Sequence, residues 1–236
     1  MVSPYFDFQF RVILIGDSTV GKSSLLQTFN EGKFTQVCDP TVGVDFSSRK
    51  IRLSDNKIIK LQLWDTAGQE KFKSRLFILM IDFRSITRSY YRNAVGALLV
   101  FDITNRESFS HISGWFEDAA MNMKCRSPSF ILVGQKADLA SAREVSVLEA
   151  ECLAQRLGDY QYIETSALTG ANVEQVFLLL AESVYAKMKA GIYTELGSTG
   201  EWDGIKPGYG SSPTSSQPPL RLSSRDYDGP SDQGCC

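Results

Sequence analysis

The eight residues GDSTVGKS, Gly16 to Ser23, constrain this chain more than any other stretch of it. They follow the apolar run FRVILIG at 10–16 and open a helix-like stretch at 22–30, matching the spacing G-x-x-x-x-G-K-[ST] in its proper setting. Glycines let the backbone curl so that successive N–H groups point inward, and the start of the following helix adds positive potential. The result is a cradle for phosphate. Lys22 is placed to reach the outer phosphates and the Ser23 hydroxyl to hold Mg²⁺. A glycine turn beside an ordinary surface lysine is the plain alternative, and the strand before and helix after weigh against it.

Short β-rich runs recur at 10–16, 44–53, 58–65, 97–102, 130–134 and 160–165, separated by helical patterns at 22–30, 85–93, 107–122, 146–157 and 172–189. Several runs are apolar at successive positions, as strands covered on both faces are, whereas KIRL and KLQL alternate and suit a hairpin turning at Asp55-Asn56. In the last helix Val173, Val176, Phe177, Leu180, Val184 and Met188 recur at helical intervals and form one apolar face. The expected fold is α/β: a six-stranded, mostly parallel sheet with helices on both faces and one antiparallel edge. Residues 8–190 form its single domain. Of residues 197–236 half are Gly, Pro or Ser, so 191–236 is expected to be a flexible tail that cannot bury enough apolar surface to order itself.

With 25 Lys+Arg against 27 Asp+Glu the net charge of −2 offers no general attraction to nucleic acid, so any anion site must be local. Five scattered cysteines without paired spacing argue against a disulfide framework or a zinc knuckle, and for a reducing compartment. The single histidine, His111, removes Ser-His-Asp and His-ligated metal chemistry. The N-terminus lacks the pattern of a signal peptide, and no segment approaches the ~20 apolar residues of a membrane span.

The second half of the phosphate site is LWDTAGQE at 63–70. Asp65 closes the third strand, where a carboxylate can reach Mg²⁺ directly or through water, and the Gly68 N–H is expected to meet a γ-phosphate. In VGQKADL at 133–139, Asp138 is suited to accept from the N1 and exocyclic amino groups of guanine, a donor pair adenine lacks. The Ser166-Ala167 region of ETSAL is placed to meet the purine oxygen.

These motifs together resemble the Rab small GTPases of the Ras superfamily, from residue 8 to about 190, with particular likeness to the Rab subgroup numbered thirty-nine in QFRVILIGDSTVGKSSLL, CDPTVGVDF, VFDITNRESF and EWDGIK. The resemblance implies a Ras-like fold, GTP/GDP and Mg²⁺ binding, slow GTP hydrolysis and control of vesicle traffic. It implies that Gly16, Asp17, Ser18, Thr19, Val20, Gly21, Lys22, Ser23 and Ser24 cradle the phosphates and that Ser23, Thr41 and Asp65 serve the metal. By the same resemblance Phe34 flanks the guanine, Gln69 orients the attacking water, and Gln135, Lys136, Asp138, Ser166, Ala167 and Leu168 surround the base. Two of these depart from the family pattern: Gln135 stands where Asn braces the loop and reaches the base, and Leu168 where Lys is usual.

The resemblance further implies an exchange factor, a GTPase-activating protein, an escort or GDP-dissociation inhibitor, and effectors on the two switches, with no nucleic acid and a monomeric state. The terminal pair Cys235-Cys236 fits the Rab pattern for double geranylgeranylation, whereas C-a-a-X does not fit because the fourth residue from the end is Gln233. One lipid binds membrane marginally, so both cysteines are expected to be needed for attachment to the cytoplasmic face of Golgi, endosomal or vesicle membranes, with a cytosolic pool.

One stretch is foreign to this pattern. Removing the eleven residues Lys73 to Phe83 restores WDTAGQEKFRSITRSYYRN, an ordinary Rab reading through the second switch. The insert carries LFILMI, which is apolar on every side of a helix and suits partner binding or aggregation if exposed. An exon without a selected role, a loop that binds a partner or membrane, and a lesion that fixes the switch all remain open. The alternative to a cycling GTPase is therefore a nucleotide-bound scaffold; an ATP-using kinase on the same loop is disfavoured by Asp138 and by the lack of a second substrate lid.

Overall fold

The computed structural model describes residues 5–34, 41, 44–66, 91–158, 160–193 and 205–208. Gly68, Gln69, the insert 73–83 and the terminal cysteines lie outside the described residues.

The chain runs β1 (Phe8–Ile15), α1 (Lys22–Glu31), β2 (Val44–Arg52), β3 (Ile58–Thr66), β4 (Gly96–Asp102), α2 (Arg106–Ser110), α3 (Ile112–Asn122), β5 (Ser129–Gln135), a 3₁₀ segment (Ala137–Ala142), α4 (Val147–Gly158), β6 (Gln161–Thr165), α5 (Val173–Lys189) and β7 (Ile205–Pro207). The six expected strands are present within a residue or two of their expected ends, in the order β2-β3-β1-β4-β5-β6. Only β2 and β3 among them pair antiparallel, through the turn at Asn56, whose φ of 65° is the left-handed value a tight hairpin needs.

Side-chain alternation along the strands divides the core into two layers. Phe10, Val12 and Leu14 of β1, with Leu98 and Val100 of β4, face α1 and α5, where they meet Phe29, Phe177 and Leu180. Ile13 and Ile15, with Ala97, Leu99 and Phe101, face α3 and α4, where they meet Trp115, Ala119 and Leu153. All seven residues of β4 are buried, which accounts for its unbroken apolar run: a central parallel strand covered on both faces has no solvent side on which to place polar residues. Parallel pairing also brings the C-terminal ends of β1, β4, β5 and β6 to one end of the sheet, where ligands bind in open α/β folds.

Two features differ from the expectation. The helical stretch read at 107–122 is two helices divided at His111, with Asn105 capping the first by accepting from the Ser108 N–H at 3.2 Å. The segment from 191 onward, read as a tether, contains a seventh strand: β7 pairs antiparallel with Phe8–Phe10 of β1, and Ile205 is buried opposite Phe10. Ile205, with Gly204 before it and Lys206-Pro207-Gly208 after it, belongs to no periodic pattern by which to announce a strand.

Candidate functional site

The phosphate loop is shaped by backbone that side chains would prevent. Gly16 has φ 145°, and a Cβ there would lie 2.0 Å from the Val100 carbonyl oxygen, so only glycine lets β1 turn against the end of β4. Gly21, at φ 100°, hands the loop to α1 with no side-chain cap. The first intrahelical bond runs from Leu25 N–H to Gly21 O at 2.9 Å, which leaves the amides of Lys22, Ser23 and Ser24 ahead of it, at the positive end of the helix. Thr19 is also left-handed, at φ 64°. Lys22 is buried, and its ammonium group donates to the carbonyls of Gly16 at 2.8 Å and Asp17 at 2.6 Å. The amine thus closes the loop over its own stem, spanning the cradle that phosphate would fill.

Beside it, Ser23, Thr41 and Asp65 converge from α1, the segment before β2, and the end of β3. The Ser23 hydroxyl donates to Asp65 Oδ2 and lies 2.8 Å from Thr41 Oγ1, which is itself 3.4 Å from the same carboxylate oxygen. Asp65 is 1% exposed, and its other oxygen, Oδ1, is buried without a hydrogen-bond partner. Burial pushes its carboxyl above the usual range, against the opposing pull of the Ser23 bond and the Lys22 charge. Two hydroxyls and one carboxylate with an orphaned oxygen are hard donors suited to Mg²⁺, which takes few protein ligands and keeps water or phosphate for the rest. The three residues expected to serve the metal are therefore adjacent, and their chemistry fits it.

The base end is assembled from the ends of β5 and β6. Asp138 Oδ1 accepts from the Ser166 hydroxyl, which in turn accepts from the Thr169 N–H at 3.1 Å, so the two residues expected at the purine share one hydrogen-bonded unit. The Ala167 carbonyl accepts from Thr28 Oγ1 at 3.0 Å and ties this loop to α1. Lys136, left-handed at φ 68°, sends its ammonium group to Asp102 Oδ2 at 2.5 Å, at the end of β4. Phe34 and Leu168 are exposed, at 37% and 56%.

Two expected residues prove to work through different atoms. The Asp17 carboxylate is engaged by α3 and its N-cap, accepting from the Trp115 indole N–H at 2.8 Å and lying 2.7 Å from His111 Nδ1, while its backbone carbonyl accepts from Lys22. Gln135, the departure at the first base position, is buried. It accepts from the Thr165 hydroxyl at 2.6 Å, and its Cγ and Nε2 lie 3.0 and 3.2 Å from where a Gly21 Cβ would stand. The longer amide therefore braces β6 and the phosphate loop together.

The Ras family pattern matches residues 11–186. The chain belongs to the Ras family. Within it the chain is similar to the Ras-related protein Rab-39A of Mus musculus, 52% identical over 206 residues that cover 86% of this chain and 88% of that protein. The Rab-39A of Homo sapiens is 51% identical over the same shares. The Ras-related protein rab-39 of Caenorhabditis elegans is 46% identical over 99% of this chain and 94% of that protein. The chain is thus a Rab39-like small GTPase with a Ras-like domain.

In this GTPase the residues that sequence reasoning missed are supports: His111 and Trp115 behind Asp17, Asp102 behind Lys136, Thr165 behind Gln135, and Thr28 behind Ala167. Asp102 and Thr165 lie within VFDITNRESF and ETSAL but had no role read for them there, and no spacing joins any of the five to its partner. Replacing Gln135 by alanine is expected to strand the Thr165 hydroxyl in a fully buried place and to open a void beneath Gly21. The destabilisation should be about 1–3 kcal/mol, read as a fall of roughly 5 °C in the thermal midpoint. Faster release of a fluorescent guanine nucleotide should accompany it, because the phosphate loop loses its backing.

Proposed function

We propose that this small GTPase is a Mg²⁺-dependent, membrane-anchored switch that binds GTP and GDP, hydrolyses GTP slowly and acts in intracellular vesicle traffic. The observation that carries the metal is the convergence of Ser23, Thr41 and Asp65 around a buried carboxylate oxygen with no partner. Bound there, Mg²⁺ would supply a positive charge against the charge that develops on the phosphates during transfer. Lys22 and the amides at the start of α1 hold the outer phosphates, Asp138 and Ser166 favour guanine, and Gln69 orients the attacking water. Intrinsic turnover in related folds is on the order of 10⁻⁴ s⁻¹ and an activating protein raises it by ~10³–10⁵, which is the reason to expect such a partner.

Geranylgeranyl groups on Cys235 and Cys236 would supply the membrane attachment. Two lipids together give the stable attachment that one alone does not. An exchange factor, an escort or GDP-dissociation inhibitor and switch-reading effectors complete the cycle on the cytoplasmic face of endomembranes.

A second reading is favoured by one sequence feature, the eleven-residue insert 73–83 directly after the Gln69 segment: a nucleotide-bound scaffold that no longer cycles. Single-turnover GTP hydrolysis, measured on the full chain and on a chain lacking residues 73–83, separates the two. The switch predicts equal Mg²⁺-dependent rates, within about twofold. A rate that rises tenfold or more on removing the insert would establish the scaffold.

A further inference from the structure

β4 begins to pair with β1 only at Val12, so below that point one side of β1 faces no central strand. There, at the end of the sheet away from Gly16, the segment Ile205–Pro207 adds itself: Ile205 lies opposite Phe10, Lys206 opposite Gln9 and Pro207 opposite Phe8. We propose that this stretch of β1 is a strand-addition slot, closed by the chain's own segment 205–208 as a clasp and able to take the same strand in trans when that clasp is lost. It does not depend on the nucleotide reading.

Each of the four residues suits its place for a separate reason. Ile205 is 2% exposed and packs in the core layer of Phe10, which is fully buried. Gly208 donates its N–H to the Asp7 carbonyl at 2.7 Å, and a Cβ on it would stand 1.6 Å from the Phe6 carbonyl oxygen, so no other residue fits without a shift of backbone. Lys206 and Pro207 are both exposed on the added strand. A charge and a residue without an N–H are what stop a further strand from joining an edge. The segment therefore fills the slot and ends the sheet at once.

The clasp is held lightly. Three paired residues and one buried side chain make a weak contact, which holds because the segment is tethered and so present at an effective concentration of ~mM. Closed, it fixes residue 208 as the point from which 209–236, with Cys235 and Cys236, leave the domain, at the pole opposite the phosphate loop. Any partner that takes hold of residues 205–208 must first lift them from β1 and expose Phe10.

Hydrogen exchange on the full chain tests this. The variant Ile205→Asp is expected to lower protection of the Gln9 amide at least tenfold while that of Leu132 in β5 stays unchanged. A peptide of residues 201–209 added at ~mM concentration should restore it, and the same peptide carrying aspartate for Ile205 should not. Equal exchange at Gln9 in the two proteins, or equal restoration by both peptides, overturns the proposal. Should Ile205→Asp lower protection throughout the sheet, Gly208→Val, which changes no core side chain, carries the same expectation and the same overturning result.

Discussion

Replacing Lys22 by alanine is expected to lower the affinity for guanine nucleotide by roughly 10²–10³-fold, about 3–4 kcal/mol, within the range lost when one partner of a desolvated charge pair is removed. The expectation rests on where the amine already sits. It is buried and holds the Gly16 and Asp17 carbonyls at both ends of its reach, so no rearrangement of the loop is needed to aim it into the cradle. Removing it has two consequences with separate readouts. Two carbonyls lose a charged donor, which should cost the nucleotide-free domain about 1–3 kcal/mol. The bound phosphates lose their nearest full positive charge, which equilibrium titration with a fluorescent guanine nucleotide measures. Lys22→Arg should recover part of the stability and little of the affinity, because a planar fork cannot occupy the space of a compact ammonium group. A full-length Lys22→Ala protein that bound nucleotide as tightly as the parent would refute the phosphate site itself.

How far such a site can be read from sequence depends on whether its parts are local. Gly16, Gly21, Lys22 and Ser23 act through backbone shape and one short helix start, so their spacing is the mechanism and the structure could hardly have placed them elsewhere. Asp65 stands near the end of β3, a strand legible from its alternating run KLQL, whereas Thr41, three residues before β2, was reached only through the family resemblance. The supports were not legible for the converse reason. Asp17 meets His111 across 94 positions and Trp115 across 98, and a lone imidazole or indole on an apolar helix reads as core. Family likeness even misdirected attention there, since it assigned Asp17 to the phosphates without distinguishing its backbone from its carboxylate. Gln135 shows the opposite case: a departure from the family letter that looks damaging in sequence becomes a brace once Thr165 and Gly21 are seen on either side of it. The clasp at β7 escaped because a strand held by one isoleucine and a glycine contact leaves no pattern, only a fit.

Asp65→Asn should move two properties in opposite directions. In the metal-free protein the carboxylate is held above its usual range by burial, with Oδ1 unpartnered. A folded value raised above the unfolded one means that ionised Asp65 opposes folding at neutral pH, and that this opposition fades as pH falls through the folded value. Neutral asparagine keeps an oxygen for the Ser23 and Thr41 hydroxyls and removes the buried charge, offset in part by an amide NH₂ that inherits the unpartnered position. In chelator at pH 7 the variant is expected to gain about 1 kcal/mol, or roughly 2–4 °C in the thermal midpoint. The same change should weaken Mg²⁺ by roughly 10²-fold, since the ion loses its one charged protein ligand. Titrating Mg²⁺ against nucleotide retention measures this. The crossing of the two effects is what identifies the residue: a carboxylate kept only to hold Ser23 and Thr41 in place would lose stability on amidation and leave the metal dependence where it was. A variant that is less stable in chelator and equally responsive to Mg²⁺ would assign Asp65 that merely structural part.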